Sequence, residues 1–411
     1  MGERNSEIAL DIEALAQLSS SKEGVTRLPF TLENDQAIEY LKKRLNSMGK
    51  QVYVDAYGNI MSSEPGGDPV EGKVYFLSHY DSVPNGGRYD GVAGIVMGLR
   101  LIDALEKPLR NRVEVIAFNL EESAAYGRAS IGSKTFFEGE NSVPDYPSQL
   151  SDGTSLRASL RKKQYEKLSE ISKPVIDEKA RFIEVHVDQS RVLTNSGADI
   201  GVVGTIAGQK RLTLLFKGST GHSSLMDLNS RKDSLQCASH VIVKVGEMSQ
   251  TYNASGIVGT VTRITNEPNV TNMIPGSTEL FVDIRGIEKV GVERYRSELI
   301  SFSSRQAKKR NLSFSWNSVS EYDPAVMHRD FTSLLEEEMT KAGIASLRMN
   351  SMAWHDSAEA AKFYKTSLLF VANPAGVSHS PFEQMDMDAF RRLLVFFLSF
   401  LGGTHDPDKK R

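Results

Sequence analysis

Val74-Tyr75-Phe76-Leu77-Ser78-His79-Tyr80-Asp81-Ser82-Val83-Pro84-Asn85-Gly86-Gly87-Arg88-Tyr89-Asp90-Gly91 is the stretch on which the fold turns. Val74 to Leu77 is a short apolar run, expected as a buried strand that ends at Ser78–His79. A Gly-rich turn follows, and then Val92 to Leu105 reads as a helix. Strand, turn and helix in that order form the opening of a β-α unit. Its polar residues gather where the strand ends, which is where open α/β sheets bind ligands.

The same rhythm runs outward from this stretch. Asp35 to Met48 places Ile38, Leu41, Leu45 and Met48 on one helical face and stops at Gly49. Gln51 to Val54 and Arg112 to Leu120 read as strands, the second ending at Glu121–Glu122, and Phe182 to Val187 as another. Strands separated by helices predict a mainly parallel sheet covered on both faces. The polar stretch Asn141 to Ala180 is expected to be a helical excursion. From about Lys210 the order becomes strand (Leu212–Phe216), helix (Lys232–Met248), two strands (Gly256–Arg263, Thr278–Arg285), helix (Val292–Lys308) and strand (Leu312–Trp316). That β-α-β-β-α-β order is the split βαβ unit. After about Ala325 the first pattern returns, with a strand at Ser367–Val371 and a last helix at Asp388–Leu401. The expectation is an α/β catalytic domain, residues 1–209 and 325–411, carrying an inserted ferredoxin-like α+β domain, residues 210–324.

Composition narrows the function. The chain has 411 residues, and 49 Lys plus Arg against 52 Asp plus Glu give a net charge of −3, so no basic excess advertises nucleic acid. No run of roughly 18 apolar residues offers a membrane span. The single cysteine, Cys237, allows no intrachain disulfide and falls in an apolar helical pattern, so it is expected as a small buried hydrophobe. Met1 to Gly24 has acids spread through it and no apolar leader core, which makes the cytoplasm the expected compartment.

Five residues at strand ends or in the loops beyond them can ligate metal: His79, Asp90, Glu122, His186 and His379. Imidazole and carboxylate suit Zn²⁺, Mn²⁺, Ni²⁺ or Co²⁺, and five side chains serve two ions if one carboxylate bridges. Asp81, two residues after His79, is placed to orient its imidazole. Adjacent carboxylates leaving a strand point in different directions, so of Glu121–Glu122 one can bind metal while the other works as a general base. Singly, each of these residues is an ordinary core or surface group. The case lies in their arriving together.

The chain resembles the M20-type metallohydrolases, in particular their N-carbamoyl-L-amino acid hydrolase, allantoate amidohydrolase and β-ureidopropionase branch. Residues Ser78 to Gly91 carry the resemblance first. It continues through Ala117-Phe118-Asn119-Leu120-Glu121-Glu122, Glu184-Val185-His186-Val187-Asp188-Gln189, Asn272-Met273-Ile274-Pro275, Asp283-Ile284-Arg285 and Val377-Ser378-His379-Ser380-Pro381. The resemblance implies two divalent ions per subunit, a bridging Asp90 and Glu121 as general base. It also implies substrate contacts from Gln189, His222, Asn272 and Arg285. Arg285 suits a substrate carboxylate because guanidinium forms a two-pronged fork. His222 is implied to reach the active site of a partner subunit and stabilise an oxyanion, which implies a homodimer.

Four departures fall around the substrate rather than the metals. Met352 and Trp354 stand where the pattern has glycines, Ser223-Ser224 follows His222, Asp188 and Ser190 flank Gln189, and Leu120 precedes the Glu pair. The expected activity is hydrolysis of a carbamoyl, ureido or N-acyl C–N bond in a small carboxylate-bearing molecule, with neither nucleic acid nor membrane as partner. The alternatives are an aminopeptidase or dipeptidase on the same fold, and a small-molecule binding protein without catalysis.

Overall fold

The computed structural model describes residues 2–66, 71–150 and 153–402. Within them the chain forms two compact units. One runs to Gly204 and resumes over Val326–Met349 and from Trp354 onward, and the other comprises Thr205–Ala325 with Asn350–Ala353.

The first unit is built on a nine-stranded sheet. At its centre Val113–Phe118, Val74–His79, Arg181–Val187 and Lys365–Val371 lie side by side and parallel. Antiparallel strands flank this centre, Gln51–Val54 and Ile60–Ser63 on one side and Ile200–Ile206 on the other. Val74–His79 and Val113–Phe118 are buried along their whole length, as expected of parallel strands covered on both faces. The covering helix Val92–Ala104 is buried from Val92 to Ile102 and apolar nearly all round. It lies so close that a Cβ on Gly94 would sit 2.5 Å from the Val185 carbonyl and 2.8 Å from Ser78 Cβ. Only glycine permits that approach. The last helix, Met387–Leu401, is capped by the Asp386 side chain, which accepts the amides of Asp388 and Ala389. It buries Phe390, Leu393, Phe397 and Phe400, with Phe397 edge-on to Phe76 at 5.0 Å.

The second unit has a four-stranded antiparallel sheet in the order Ser313–Tyr322, Gly208–Lys217, Ser277–Gly286, Ile257–Glu267. In chain order that is fourth, first, third, second, with the helices Ser234–Tyr252 and Lys289–Lys309 between them. Its core gathers Leu212, Leu214, Phe216, Val241, Leu280, Val282, Ile284 and Leu299, and Cys237 is fully buried among them.

One expectation needs correction. Between Asn141 and Ala180 the only α-helix among the described residues is Leu156–Lys163, with a short turn at Tyr165–Leu168. Pro144, Pro147, Gly153 and Pro174 interrupt any longer helix. The segment is held by burial of Val143, Leu156 and Tyr165 and by stacking of Tyr165 on Phe30. No helix among the described residues is long and apolar enough to cross a membrane.

Candidate active site

The parallel strands deliver their polar residues to one edge. His79 closes Val74–His79 and His186 lies near the end of Arg181–Val187. Glu121 and Glu122 follow Val113–Phe118, and His379 lies in the loop between Lys365–Val371 and the last helix. Asp90 occupies the turn before the helix Val92–Ala104. These residues form overlapping groups: His79, Asp90 and His186; His79, Glu121 and Glu122; and Asp90, Glu122 and His379.

Asp90 joins the first group to the last. Its Oδ1 lies 2.9 Å from His186 Nε2 and 3.5 Å from His79 Nε2, and its Oδ2 lies 3.3 Å from His379 Nε2. His379 Nε2 is also 3.3 Å from Glu122 Oε1. The far nitrogens are held by the main chain, His79 Nδ1 by the Asp81 carbonyl at 3.0 Å and His186 Nδ1 by the Val187 carbonyl at 2.9 Å. A carbonyl only accepts, so each Nδ1 carries a proton and each Nε2 faces Asp90. Gly91 makes room for this. Its φ is +70°, and a Cβ there would come within 2.5 Å of the His79 ring.

The electrostatics favour positive charge between these groups. Burial opposes it, yet the hydrogen bond that His79 donates to Asp90 and the charge of Glu121 hold the imidazole well above its ordinary pKa. The Glu122 hydrogen bond, against burial, pushes His379 up to about 9. Burial likewise opposes ionisation of Asp90, but hydrogen bonds from His186 and His79 keep its carboxyl well below the usual range. The field that retains protons on these imidazoles equally suits a divalent cation, whose binding releases them. The donor set of imidazole nitrogen and carboxylate oxygen therefore fits a transition-metal ion.

Asp81 does its work differently from the sequence expectation. Its carboxylate lies 3.9 Å from His79 Nδ1, and it is the main-chain carbonyl of Asp81 that orients the ring. The carboxylate instead accepts two consecutive amides, Glu121 N and Glu122 N, each at 3.1 Å. Leu120 sits just before them with φ of 61°, a left-handed turn that costs on the order of 1 kcal/mol for a non-glycine residue. The two side chains diverge from this turn. Glu122 faces His379, while Glu121 accepts Ser130 Oγ at 3.2 Å with its other oxygen 3.9 Å from His79 Nε2. Burial, reinforced by the charges of Glu122 and Asp356, raises the Glu121 carboxyl well above its ordinary pKa. A carboxylate so placed is a ready proton acceptor.

Gln189 lies just beyond Arg181–Val187, half-buried, in the same unit. The second unit holds the other expected substrate residues. His222 and Met273 are paired in a short ladder, and Asn272 accepts Ser223 N through its carbonyl at 3.0 Å. His222 is exposed, and its Nδ1 accepts Ser224 N at 3.2 Å, which leaves Nε2 as the N–H donor of the neutral ring. Arg285 lies on Ser277–Gly286, gripped by both oxygens of Asp283 at 3.3 and 3.2 Å. Arg211 shares Asp283 at 3.1 Å, so two guanidiniums face one carboxylate and the surplus is positive. The third Arg285 contact is the Met352 carbonyl at 2.8 Å.

Sequence reading missed residues whose contacts are to the main chain or to buried partners. Fully buried Arg27 donates to the Tyr80 carbonyl and ties the segment before the helix Leu32–Ser47 to the His79–Asp81 turn. Glu184 accepts Ser78 Oγ at 3.1 Å and Ser357 N at 2.7 Å. The ring of buried His355 packs edge-on against His186 at 4.8 Å.

Known proteins share this arrangement of sequence and fold. A Haemophilus influenzae protein described as an uncharacterized hydrolase is 31% identical over 391 residues, covering 91% of this chain and 92% of its own length. An N-carbamoyl-L-amino acid amidohydrolase of Geobacillus stearothermophilus is 27% identical, covering 88% of each chain. The crystal structure of an amidase of the hydantoinase/carbamoylase family from Burkholderia multivorans superposes with a TM-score of 0.82 at 22% identity, covering 97% of both chains, and so shares the fold. Residues 75–402 match the peptidase family M20/M25/M40, and the chain belongs to that family.

Proposed function

We propose that this protein is a dinuclear metal-dependent amidohydrolase that cleaves a carbamoyl, ureido or N-acyl C–N bond in a small carboxylate-bearing substrate such as an N-carbamoyl-L-amino acid. The observation that carries the reading is Asp90, which presents one oxygen to His79 and His186 and the other to His379, with Glu121 alongside. His79 and His186 would hold one ion and Glu122 and His379 the other, with Asp90 common to both. Two divalent ions bound there, Zn²⁺, Mn²⁺, Ni²⁺ or Co²⁺, would supply acidification of water and polarisation of the scissile carbonyl.

Glu121 takes a proton from the attacking water as its oxygen bonds to the carbonyl carbon. It returns that proton to the nitrogen as the C–N bond breaks. Asp81 fixes Glu121 and Glu122 through their amides. Arg285, with Asn272 and Gln189, binds the substrate, the guanidinium taking its carboxylate. His222 donates Nε2–H to the developing oxyanion in the active site of a partner subunit. On this reading Thr205–Ala325 is the body of an inserted ferredoxin-like domain, the protein is a homodimer, and it works in the cytoplasm. Similarity to the Geobacillus N-carbamoyl-L-amino acid amidohydrolase supports this choice of bond over a peptide bond.

The test is a substrate panel on protein loaded with Mn²⁺, Co²⁺, Ni²⁺ or Zn²⁺. Ammonia release is followed with N-carbamoyl-L-amino acids and other ureido acids, and amino-acid release with dipeptides. Turnover of the ureido compounds is expected. Turnover of dipeptides alone would move the reading to a peptidase, and turnover of neither would remove the catalytic assignment.

A further inference from the structure

Glu383 is a buried acid, 5% exposed, four residues beyond His379. Its amide donates to the Ser380 carbonyl at 3.1 Å, which folds the chain back after His379. Its Oε1 accepts two consecutive amides across the site, Tyr89 N at 3.0 Å and Asp90 N at 3.1 Å. Its Oε2 makes no hydrogen bond among the described residues. The facing turn is cut to fit it, since a Cβ on Gly87 would lie 2.0–2.5 Å from the three atoms of the carboxyl group. Asp81 uses the same device beneath Glu121 and Glu122. Each carboxylate converts a pair of buried amides into a fixed support for ligand-bearing residues. Glu383 differs in joining two separate loops, those of His379 and Asp90, which belong to one ligand group with Glu122.

We infer that Glu383 is a positioning residue for that group: by accepting the Tyr89 and Asp90 amides it sets the spacing of Asp90 and His379, and so governs occupancy of one of the two ion positions. The inference rests on the proposed metal reading. Because Oε1 alone is engaged, acceptance and not charge is what matters. Glutamine keeps a carbonyl oxygen with two lone pairs and should serve in its place.

The experiment titrates Co²⁺ into metal-free parent, Glu383→Gln, Glu383→Ala and Gly87→Ala proteins, reading bound ion by calorimetry and by the visible absorption of cobalt, with turnover measured separately. The parent should bind two ions. Glu383→Gln should match it within about threefold. Glu383→Ala should bind the ion assigned to Glu122 and His379 roughly 10–100-fold more weakly, the usual effect of removing a residue that orients ligands, and the other ion, which shares only Asp90 with that loop, should be affected less. Gly87→Ala, which crowds the carboxylate while leaving Glu383 in place, should weaken the same ion and decides the matter if Glu383→Ala does not fold. Unchanged affinity for both ions in the folded Ala variants overturns the inference, as does a Gln variant weakened as much as Ala. A parent that binds no ions overturns the metal reading instead.

Discussion

The two units differ in how deeply they set most of their candidate residues. In the first, His79, Asp90, Glu121, Glu122 and His186 are all less than 8% exposed and stand on buried strand ends or on turns fixed by main-chain hydrogen bonds, while His379, on a loop, keeps 48% of its side chain open. In the second, His222 and Asn272 are exposed, and Arg285 keeps 29% of its side chain open on a sheet face. On the proposed reading, most of the groups that handle charge and protons are buried in a low-dielectric surround, where each interaction is strong and costs little reorganisation. On the same reading, the candidate substrate residues of the second unit stay open so that a substrate can add to their contacts. The contrast predicts that lesions in the first unit act on the chemical step or on metal occupancy, and lesions in the second on recognition or on a step shared between subunits.

The largest effect should come from Glu121→Gln, which keeps shape and removes the proton acceptor. A fall in kcat of roughly 10²–10⁴-fold is expected, with metal content near that of the parent. Near-parental kcat would strip Glu121 of its role.

His222→Ala comes next, with about 10²–10³-fold in kcat, the usual weight of one oxyanion donor. Mixing Glu121→Gln subunits with His222→Ala subunits sharpens the contrast between units. A heterodimer that shares His222 across subunits contains one intact site, so up to about half the parental activity should return per heterodimer. No recovery in demonstrated heterodimers would remove the partner-subunit role and leave the metal chemistry standing.

Arg285→Lys should act on binding. Loss of the two-pronged contact is expected to raise KM about 10–100-fold with kcat little changed, matching the ~1.5–3 kcal/mol of a hydrogen bond to a charged group. A kcat defect with normal KM would contradict the assignment to substrate binding. The last expectation concerns pH and needs no substitution. Glu122 pushes His379 up to about 9, so below that pH an incoming ion must displace a proton. Affinity for that ion should rise about tenfold per pH unit and level off above pH 9. A flat affinity from pH 6 to 9 would show that no proton is exchanged there.

The clustering of the candidate ligands at one sheet edge was legible because strands buried on both faces read as apolar runs, so a His or a Glu pair at their ends stands out against Val, Ile and Phe. The second unit was legible for a similar reason. Its strands and helices alternate apolar and polar faces, as in Ser277–Gly286, where every second residue is buried. What stayed hidden acts through the main chain. Asp81 and Glu383 accept backbone amides, and nothing in a sequence marks an acid that will find its partners there. Met352 teaches the same lesson, since its carbonyl serves Arg285 whatever its side chain. The strand Ile200–Ile206 was missed as an antiparallel partner of Lys365–Val371 because pairing direction depends on chain return, not on local pattern.

The most direct measurement titrates Mn²⁺ or Co²⁺ into verified metal-free protein while recording ammonia release from an N-carbamoyl-L-amino acid in the same sample. The account predicts no turnover without metal and a rise that stops at two ions per chain. Full turnover in metal-free protein, or saturation at a single ion, would contradict it.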